Sequence, residues 1–273
     1  MLTRGFEAYE DKWWRIFLLF AGGLLVTGSA NAINQVVEKD TDAIMKRTGN
    51  RPVASGRMSV QHGWAFAIIT GAFGVFILGS SFNILSASLA AFSLFLYAFI
   101  YTPLKKVNSV AVLVGAVPGA LPCLIGWAAG EGELTLGGWI LFAIQFLWQF
   151  PHFWAIAWIA HQDYSSAGFK LLPADKGPTK FTALQTVIYS LLLLPVTLLP
   201  YFIGGPDYSA MCSYDDARGM ISIALVLAAN VFMIMRCITL YRKMDVPSAR
   251  KVMFGSYLYL PVVLLALLMS KIG

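Results

Sequence analysis

The sequence predicts an all-α protein, a polytopic bundle of membrane-crossing helices in one domain over residues 1–273. Three observations carry that prediction. Hydrophobic residues make up 58% of the 273 and charged residues 12%, with a positive mean hydropathy, which is too apolar for a soluble domain. Apolar runs of the roughly 20 residues that a helix needs to cross a ~30 Å bilayer core recur eight times. The short segments between them alternate in charge.

The first span, near 13–35, follows a start in which Arg4, Lys12 and Arg15 are cancelled by Glu7, Glu10 and Asp11. Its run from Ile16 into Ser29-Ala30-Asn31-Ala32 looks like a signal peptide with a cleavage site. Such peptides begin clearly positive, so the run is expected to stay as a span. The others are placed near 60–80, 83–101, 108–129, 136–160, 181–203, 218–240 and 252–271. Loops after the odd-numbered spans hold Lys39, Lys46, Arg47, Arg51 and Arg57, then Lys105 and Lys106, then Lys170, Lys176 and Lys180, then Arg242, Lys243, Arg250 and Lys251. Those after the even-numbered spans are uncharged near Ser80 to Asn83 or acidic, with Glu131 and Glu133, then Asp207, Asp215 and Asp216. An excess of lysine and arginine marks cytoplasmic loops, so the basic loops face the cytoplasm and both termini the far side. A missing or extra span in the middle would break this phase.

The net charge of +6 is spent on these loops, with no basic helix or stripe to suit nucleic acid. Cys123, Cys212 and Cys237 are odd in number and lack Cys-x-x-Cys spacing. They read as packing residues rather than disulfides or a zinc site.

Much of the charge lies in residues 31–57. Asn34, Glu38 and Asp42 recur every four residues, and each such step turns a helix by about 400°, so the three share one face and can converge on one ion. Asn31 is expected on the same side and Asp40 nearly opposite Glu38. A solvated helix end would explain the carboxylates. Amides at the end of an apolar span are costly without partners, however, and point to a polar site. Carboxylate and amide oxygens suit Mg2+, which keeps waters and bridges to substrate phosphates. Lys46, Arg47 and Arg51 follow directly. They set topology and, beside the carboxylates, suit a diphosphate, arginine giving planar two-point contact.

Three further stretches matter. Tyr101-Thr102-Pro103-Leu104-Lys105-Lys106 is expected to end the third span, its lysines serving topology or a ligand. Residues 160–173 echo the first cluster after the fifth span: Asp163, Tyr164, Gly168 and Lys170 give a compact turn able to close over a ligand, facing the first cluster across one cavity. Of His62, His152 and His161, only His152 lies well inside a span, between Trp148 and Trp154. Its ring implies a partner, either structural or a substrate such as haem. Trp158 and Tyr97 add to the aromatic packing, and a subset of these rings suits a cation.

These residues resemble the UbiA superfamily of intramembrane prenyltransferases, and within it the branch that farnesylates protohaem. The likeness rests on Asn34-Gln35-x-x-Glu38-x-Asp40-x-Asp42, Met45-Lys46-Arg47-Thr48-x-Asn50-Arg51-Pro52, Tyr101-Thr102-Pro103-Leu104-Lys105, Gly115 to Trp127, Gln149-x-Pro151-His152-Phe153, and Asp163-Tyr164-x-x-Ala167-Gly168 with Leu172-Pro173. It covers residues 31 to about 173, and the last third resembles the family mainly as helices. The resemblance implies transfer of a farnesyl group from farnesyl diphosphate to a vinyl group of haem b with Mg2+, in the bacterial inner membrane, beside a haem A synthase or terminal oxidase as candidate partner. Carried over, Asn34, Glu38 and Asp42 form the first metal-diphosphate motif and Asp163 part of the second. Lys46, Arg47, Arg51 and Lys105 hold the diphosphate, Asn50, Tyr101, Tyr164 and Lys170 belong to the substrate-binding set, and His152 is a candidate haem or cavity contact. The superfamily usually has nine spans; here the one before Asn34 is expected to be missing, with only Leu2 to Trp14 in its place. Cys123 replaces a usual proline, and the second motif has one aspartate.

Two other classes compete. A transporter needs charges through the membrane midplane and inverted repeats, whereas here the charges gather at one face. A protein that merely holds haem has no use for paired carboxylates and arginines. Within enzymes, the alternative is another aromatic or tetrapyrrole acceptor.

Overall fold

The computed structural model describes residues 11–173, 177–205 and 209–271. Arg4, Glu7, Glu10, Lys176 and Asp207 lie outside them. Eight helices among the described residues are long and apolar enough to cross a membrane: Lys12–Val37, Val60–Ser81, Ile84–Leu104, Val110–Glu131, Leu136–Ile159, Lys180–Tyr201, Ala217–Lys243 and Val246–Met269. Seven lie within three residues of their expected spans, and the last begins six residues earlier than expected. The chain divides into two compact units, one of residues 11–132 and 160–171 and the other of 133–159 and 172–271.

The first unit begins with α1 (Lys12–Val37) packed along α3 (Val60–Ser81). Glycine makes the approach possible, since a Cβ on Gly74 would stand 2.9 Å from the Gly22 carbonyl oxygen. Ser29 Oγ donates to the Ala67 carbonyl at 2.7 Å, hiding a hydroxyl that lipid could not satisfy. The short α2 (Lys39–Ile44) follows α1 directly. Asn83 caps α4 (Ile84–Phe95) by accepting from Ser86 N at 2.8 Å, and its amide donates to the Ala128 carbonyl, tying α4 to α6 (Val110–Glu131).

The third span ends within the Tyr101–Lys106 stretch, as expected, its last helical residue being Leu104, but it does not reach that end as a regular α-helix. After α4 it widens into a π turn over Leu96–Tyr101 and continues as α5 (Thr102–Leu104). Pro103 supplies the reason: it has no N–H to donate, and its ring would press on the carbonyl one turn back, a clash that a wider turn relieves. Thr102 Oγ1 then donates to the Tyr97 carbonyl at 2.8 Å.

The second unit holds α7 (Leu136–Ile159), α9 (Lys180–Leu198), α10 (Ala217–Lys243) and α11 (Val246–Met269), while α8 (His161–Ser166) returns to the first. Its interior is pinned by a satisfied polar knot. Asn230, fully buried, donates to Thr197 Oγ1 at 2.9 Å and accepts from the Tyr259 hydroxyl at 3.0 Å, joining three helices. The cysteines are free, as expected.

Candidate active site

Every residue of the acidic and basic cluster lies in the first unit, so its geometry can be built from there alone. A continuous helix through Asn34, Glu38 and Asp42 was the expectation. Instead α1 stops at Val37, and Glu38 takes a flattened conformation (φ −98°, ψ 15°) between α1 and α2. The amide bonds nevertheless keep helical spacing, Glu38 N to Asn34 O at 2.9 Å and Asp42 N to Glu38 O at 2.7 Å. The four-residue periodicity therefore survives the break. Asn34, Glu38 and Asp42 are all buried, while Asp40 is exposed on the other side as expected. Asn31 is a correction: it is exposed and does not join Asn34.

The loop after α2 folds back on the carboxylates. Met45 and Val53 are buried and anchor it, and Thr48 Oγ1 donates to the Asp42 carbonyl at 3.1 Å. Arg51 is thereby brought to Asp42, where one nitrogen, Nη1, reaches Oδ1 at 3.0 Å and Oδ2 at 2.8 Å. Both contacts come from one nitrogen rather than from a two-nitrogen fork. Nε and Nη2 have no hydrogen-bond partner among the described residues and remain free to donate to an anion.

Lys105, just beyond the third span, sits with Nζ 2.8 Å from Asn34 Oδ1 and 2.7 Å from Glu38 Oε1. Burial pushes its ammonium below the usual lysine range, and the Glu38 carboxylate pulls the other way. The contact with Glu38 has the distance of an ion pair without the alignment of a hydrogen bond, so Glu38 Oε1 is a buried carboxylate oxygen with no hydrogen-bond partner. Lys105 also lies 4.8 Å from the Tyr101 ring centre and 5.5 Å from that of Phe169.

The second acidic segment meets the first directly rather than facing it across open space. Asp163 accepts from the backbone N–H groups of Lys46 at 3.4 Å and Arg47 at 3.2 Å. Arg47 Nη2 donates to the Tyr164 hydroxyl at 2.8 Å, its guanidinium 5.3 Å from the ring centre. Burial raises the Tyr164 phenol, opposed by Arg47 and Arg51, so it stays protonated. The turn expected after Asp163 forms with Gly168 at φ 76°, and Lys170 N donates to the Lys105 carbonyl at 2.9 Å.

Some expected contacts are made by backbone alone. Lys46 and Lys170 are exposed and enter through their amides, and Asn50 is exposed with its carbonyl accepting from Arg57 Nη2. His152 belongs to the second unit, where Ser256 is its partner. Phe169, as a cover for Lys105, was not singled out from the sequence; its place between Gly168 and Lys170 in the turn was the available signal. Among the described residues no three His, Cys, Asp or Glu side chains form a metal cage. The oxygen set of Asn34, Glu38 and Asp42 still suits a hard divalent cation completed by substrate oxygens and water.

The sequence profile of the UbiA prenyltransferase family matches residues 7–260. This chain belongs to that family. UbiA members similar to it include the protoheme IX farnesyltransferase of Cytophaga hutchinsonii, 43% identical with 97% of this chain and 89% of that protein covered. The Flavobacterium johnsoniae protein of the same name is 40% identical, with 97% and 85% covered. Among solved structures, a digeranylgeranylglyceryl phosphate synthase superposes with a TM-score of 0.70 at 19% identity over 94% of this chain and 85% of that one. A UbiA homologue from Archaeoglobus fulgidus, bound to DMAPP and Mg2+, gives 0.64 at 13% identity over 93% and 87%. At such identities the structures establish the shared UbiA fold.

Proposed function

We propose that this protein transfers the farnesyl group of farnesyl diphosphate to a vinyl group of haem b, giving haem O. The observation that carries the reading is the folding of the Lys46 to Pro52 run back onto the buried motif, Arg51 on Asp42, in a chain whose relatives bear the protoheme IX farnesyltransferase name. Asn34, Glu38 and Asp42 would hold Mg2+, with Asp163 nearby. Bound there, the ion would neutralise the diphosphate and favour its departure.

The chain's own residues supply the rest. Arg51 Nε and Nη2, Lys105 and Arg47 offer charged donors to the diphosphate oxygens as the allylic C1–O bond breaks and the electron pair leaves with the diphosphate. The farnesyl C1 then bonds to the terminal vinyl carbon through the vinyl π pair, and the cation left on the inner vinyl carbon is captured by a water molecule, which stays as the hydroxyl and releases its proton to solvent. Tyr101 and Phe169 lie against Lys105, and the Tyr97 ring stands 5.1 Å from that of Tyr101, so the three can shield an allylic cation from water. The basic loops and this site would face the cytoplasm, in a bacterial inner membrane.

A direct test offers haem b to membranes containing the protein, together with dimethylallyl, geranyl, farnesyl and geranylgeranyl diphosphates and Mg2+. Mass spectrometry should find the farnesyl adduct of haem. Preference for another prenyl chain, or for a non-tetrapyrrole acceptor supplied alongside, would replace this reading with the aromatic-acceptor alternative.

A further inference from the structure

A guanidinium inside a membrane span is costly unless something answers its charge. Arg236 lies in α10, seven residues and about 10 Å along the axis before Lys243, the last residue of that helix. It is half-buried, and its guanidinium carbon stands 4.8 Å from the centre of the Phe232 ring, one turn deeper in the span. Among the described residues no carboxylate comes within ion-pair distance of it, and its N–H groups have no acceptor. A ring face offsets part of the cost of the charge. The remainder calls for an anion from outside the chain.

The packing of α10 on α11 shows where such an anion fits. A Cβ on Gly255 would stand 3.1 Å from the Phe232 ring and 3.7 Å from Arg236 Cγ, so the arginine stem crosses α11 at this glycine. Lys243, two turns on, falls within about 20° of Arg236 around α10. Lys251 is one turn, about 6 Å, nearer the helix ends than Gly255 and on the same side of α11. Both lysines are exposed and both act on the Asp245 carboxylate, which sets them together at this end of the helix pair. Arg242 and Arg250 bring the cations between 236 and 251 to five, against Asp245 alone, and Asp245 is engaged in capping α11. Leu258, three residues past Gly255, is exposed and offers an apolar surface below the charges. Cations at the mouth of a crevice with hydrocarbon-facing side chains beneath them complement a lipid whose headgroup is anionic.

We propose that the crevice between α10 and α11 binds the phosphate of an anionic phospholipid, with Arg236 and Lys251 flanking it and Lys243 at its rim. The length of an arginine side chain lets Arg236 reach up from the Phe232 ring toward the level of Lys251.

The test titrates the full chain, in a neutral detergent, with phosphatidylglycerol or phosphatidylcholine and counts bound lipid by native mass spectrometry. The wild type should hold one phosphatidylglycerol at least about 5-fold more tightly than phosphatidylcholine, the scale of one charge contact at a membrane surface. Arg236→Gln should remove most of that preference. Lys251→Gln, an exposed change that leaves the fold alone, should lower it too, whereas Lys180→Gln at the start of α9 should not. Equal affinity for the two lipids, a wild-type preference in both Arg236→Gln and Lys251→Gln, or an equal loss in Lys180→Gln would overturn the proposal. Displacement of the lipid by inorganic phosphate, or by a polyglutamate peptide, would also overturn it, assigning the crevice to a free anion or to an acidic protein.

Discussion

Arg51 touches both oxygens of Asp42 through one nitrogen, and that economy shapes what its loss should do. Asp42 is fully buried and the Arg51 side chain 31% exposed, so removing the guanidinium strands a charge that water reaches poorly. Arg51→Ala should cost roughly 2 to 4 kcal/mol of stability, the lower part of the range for a broken buried pair because Arg51 is partly solvated. Arg51→Lys should recover most of that stability but not the planar donors. Its KM for farnesyl diphosphate should stay well above wild type while that for haem hardly moves. Thermal unfolding in detergent and steady-state kinetics measure the two effects, and equal rises in both KM values would assign Arg51 a structural role only. The spacing of Asn34, Glu38 and Asp42 was legible because the four-residue step survives at Glu38. The partners were not: nothing in the sequence says that Asp163 takes the amides of Lys46 and Arg47, 117 and 116 residues away, or that Lys105 takes Asn34, 71 residues away, and Glu38.

At the scale of elements, eight spans could be read from apolar runs and alternating loop charge, and only their interruptions escaped. A π turn leaves no trace in an apolar run, because every face of that helix is hydrophobic whatever its pitch; Pro103 was the one hint, and it reads equally well as a terminator. The π turn matters because it sets Tyr101 beneath Lys105. A Cβ on Gly115 would lie 2.6 Å from the Tyr101 ring. Gly115→Ala should therefore push Tyr101 away from Lys105, costing about 1 to 3 kcal/mol by overpacking and lowering turnover. Adding Tyr101→Ala to Gly115→Ala should restore the melting temperature without restoring turnover. A second element can be tested by pH. Asp245 caps α11, and its carboxyl is held below its ordinary value by hydrogen bonds from Ser248, with Lys243 and Lys251 adding to the effect. A carboxyl depressed in the folded protein stabilises above its unfolded pKa, and that benefit is lost as pH falls through the folded one. The stability gap between wild type and Asp245→Ala should thus be full at pH 6 and vanish in strong acid. A gap that does not change with pH would contradict the capping role.

For the molecule as a whole, the alternation of basic and acidic loops is its strongest global signal. Reporter enzymes inserted near Asn108 and near Asn83 should read opposite sides of the membrane, with the Asn108 side cytoplasmic. The same side reported by both would break the predicted phase. That alternation also places Lys105 and the segments carrying Asp42 and Asp163 at one membrane face, and the first unit does bring the three together. The most direct measurement is haem O formation by Asp42→Asn against wild type, in membranes supplied with haem b, farnesyl diphosphate and either Mg2+ or a chelator. The wild type with Mg2+ should give a farnesylated haem, and the variant, or the wild type under chelation, at least about 100-fold less, some 2.7 kcal/mol in the barrier, with membrane insertion unchanged. Wild-type turnover by Asp42→Asn, or farnesylation that ignores the chelator, would contradict the Mg2+-dependent reading.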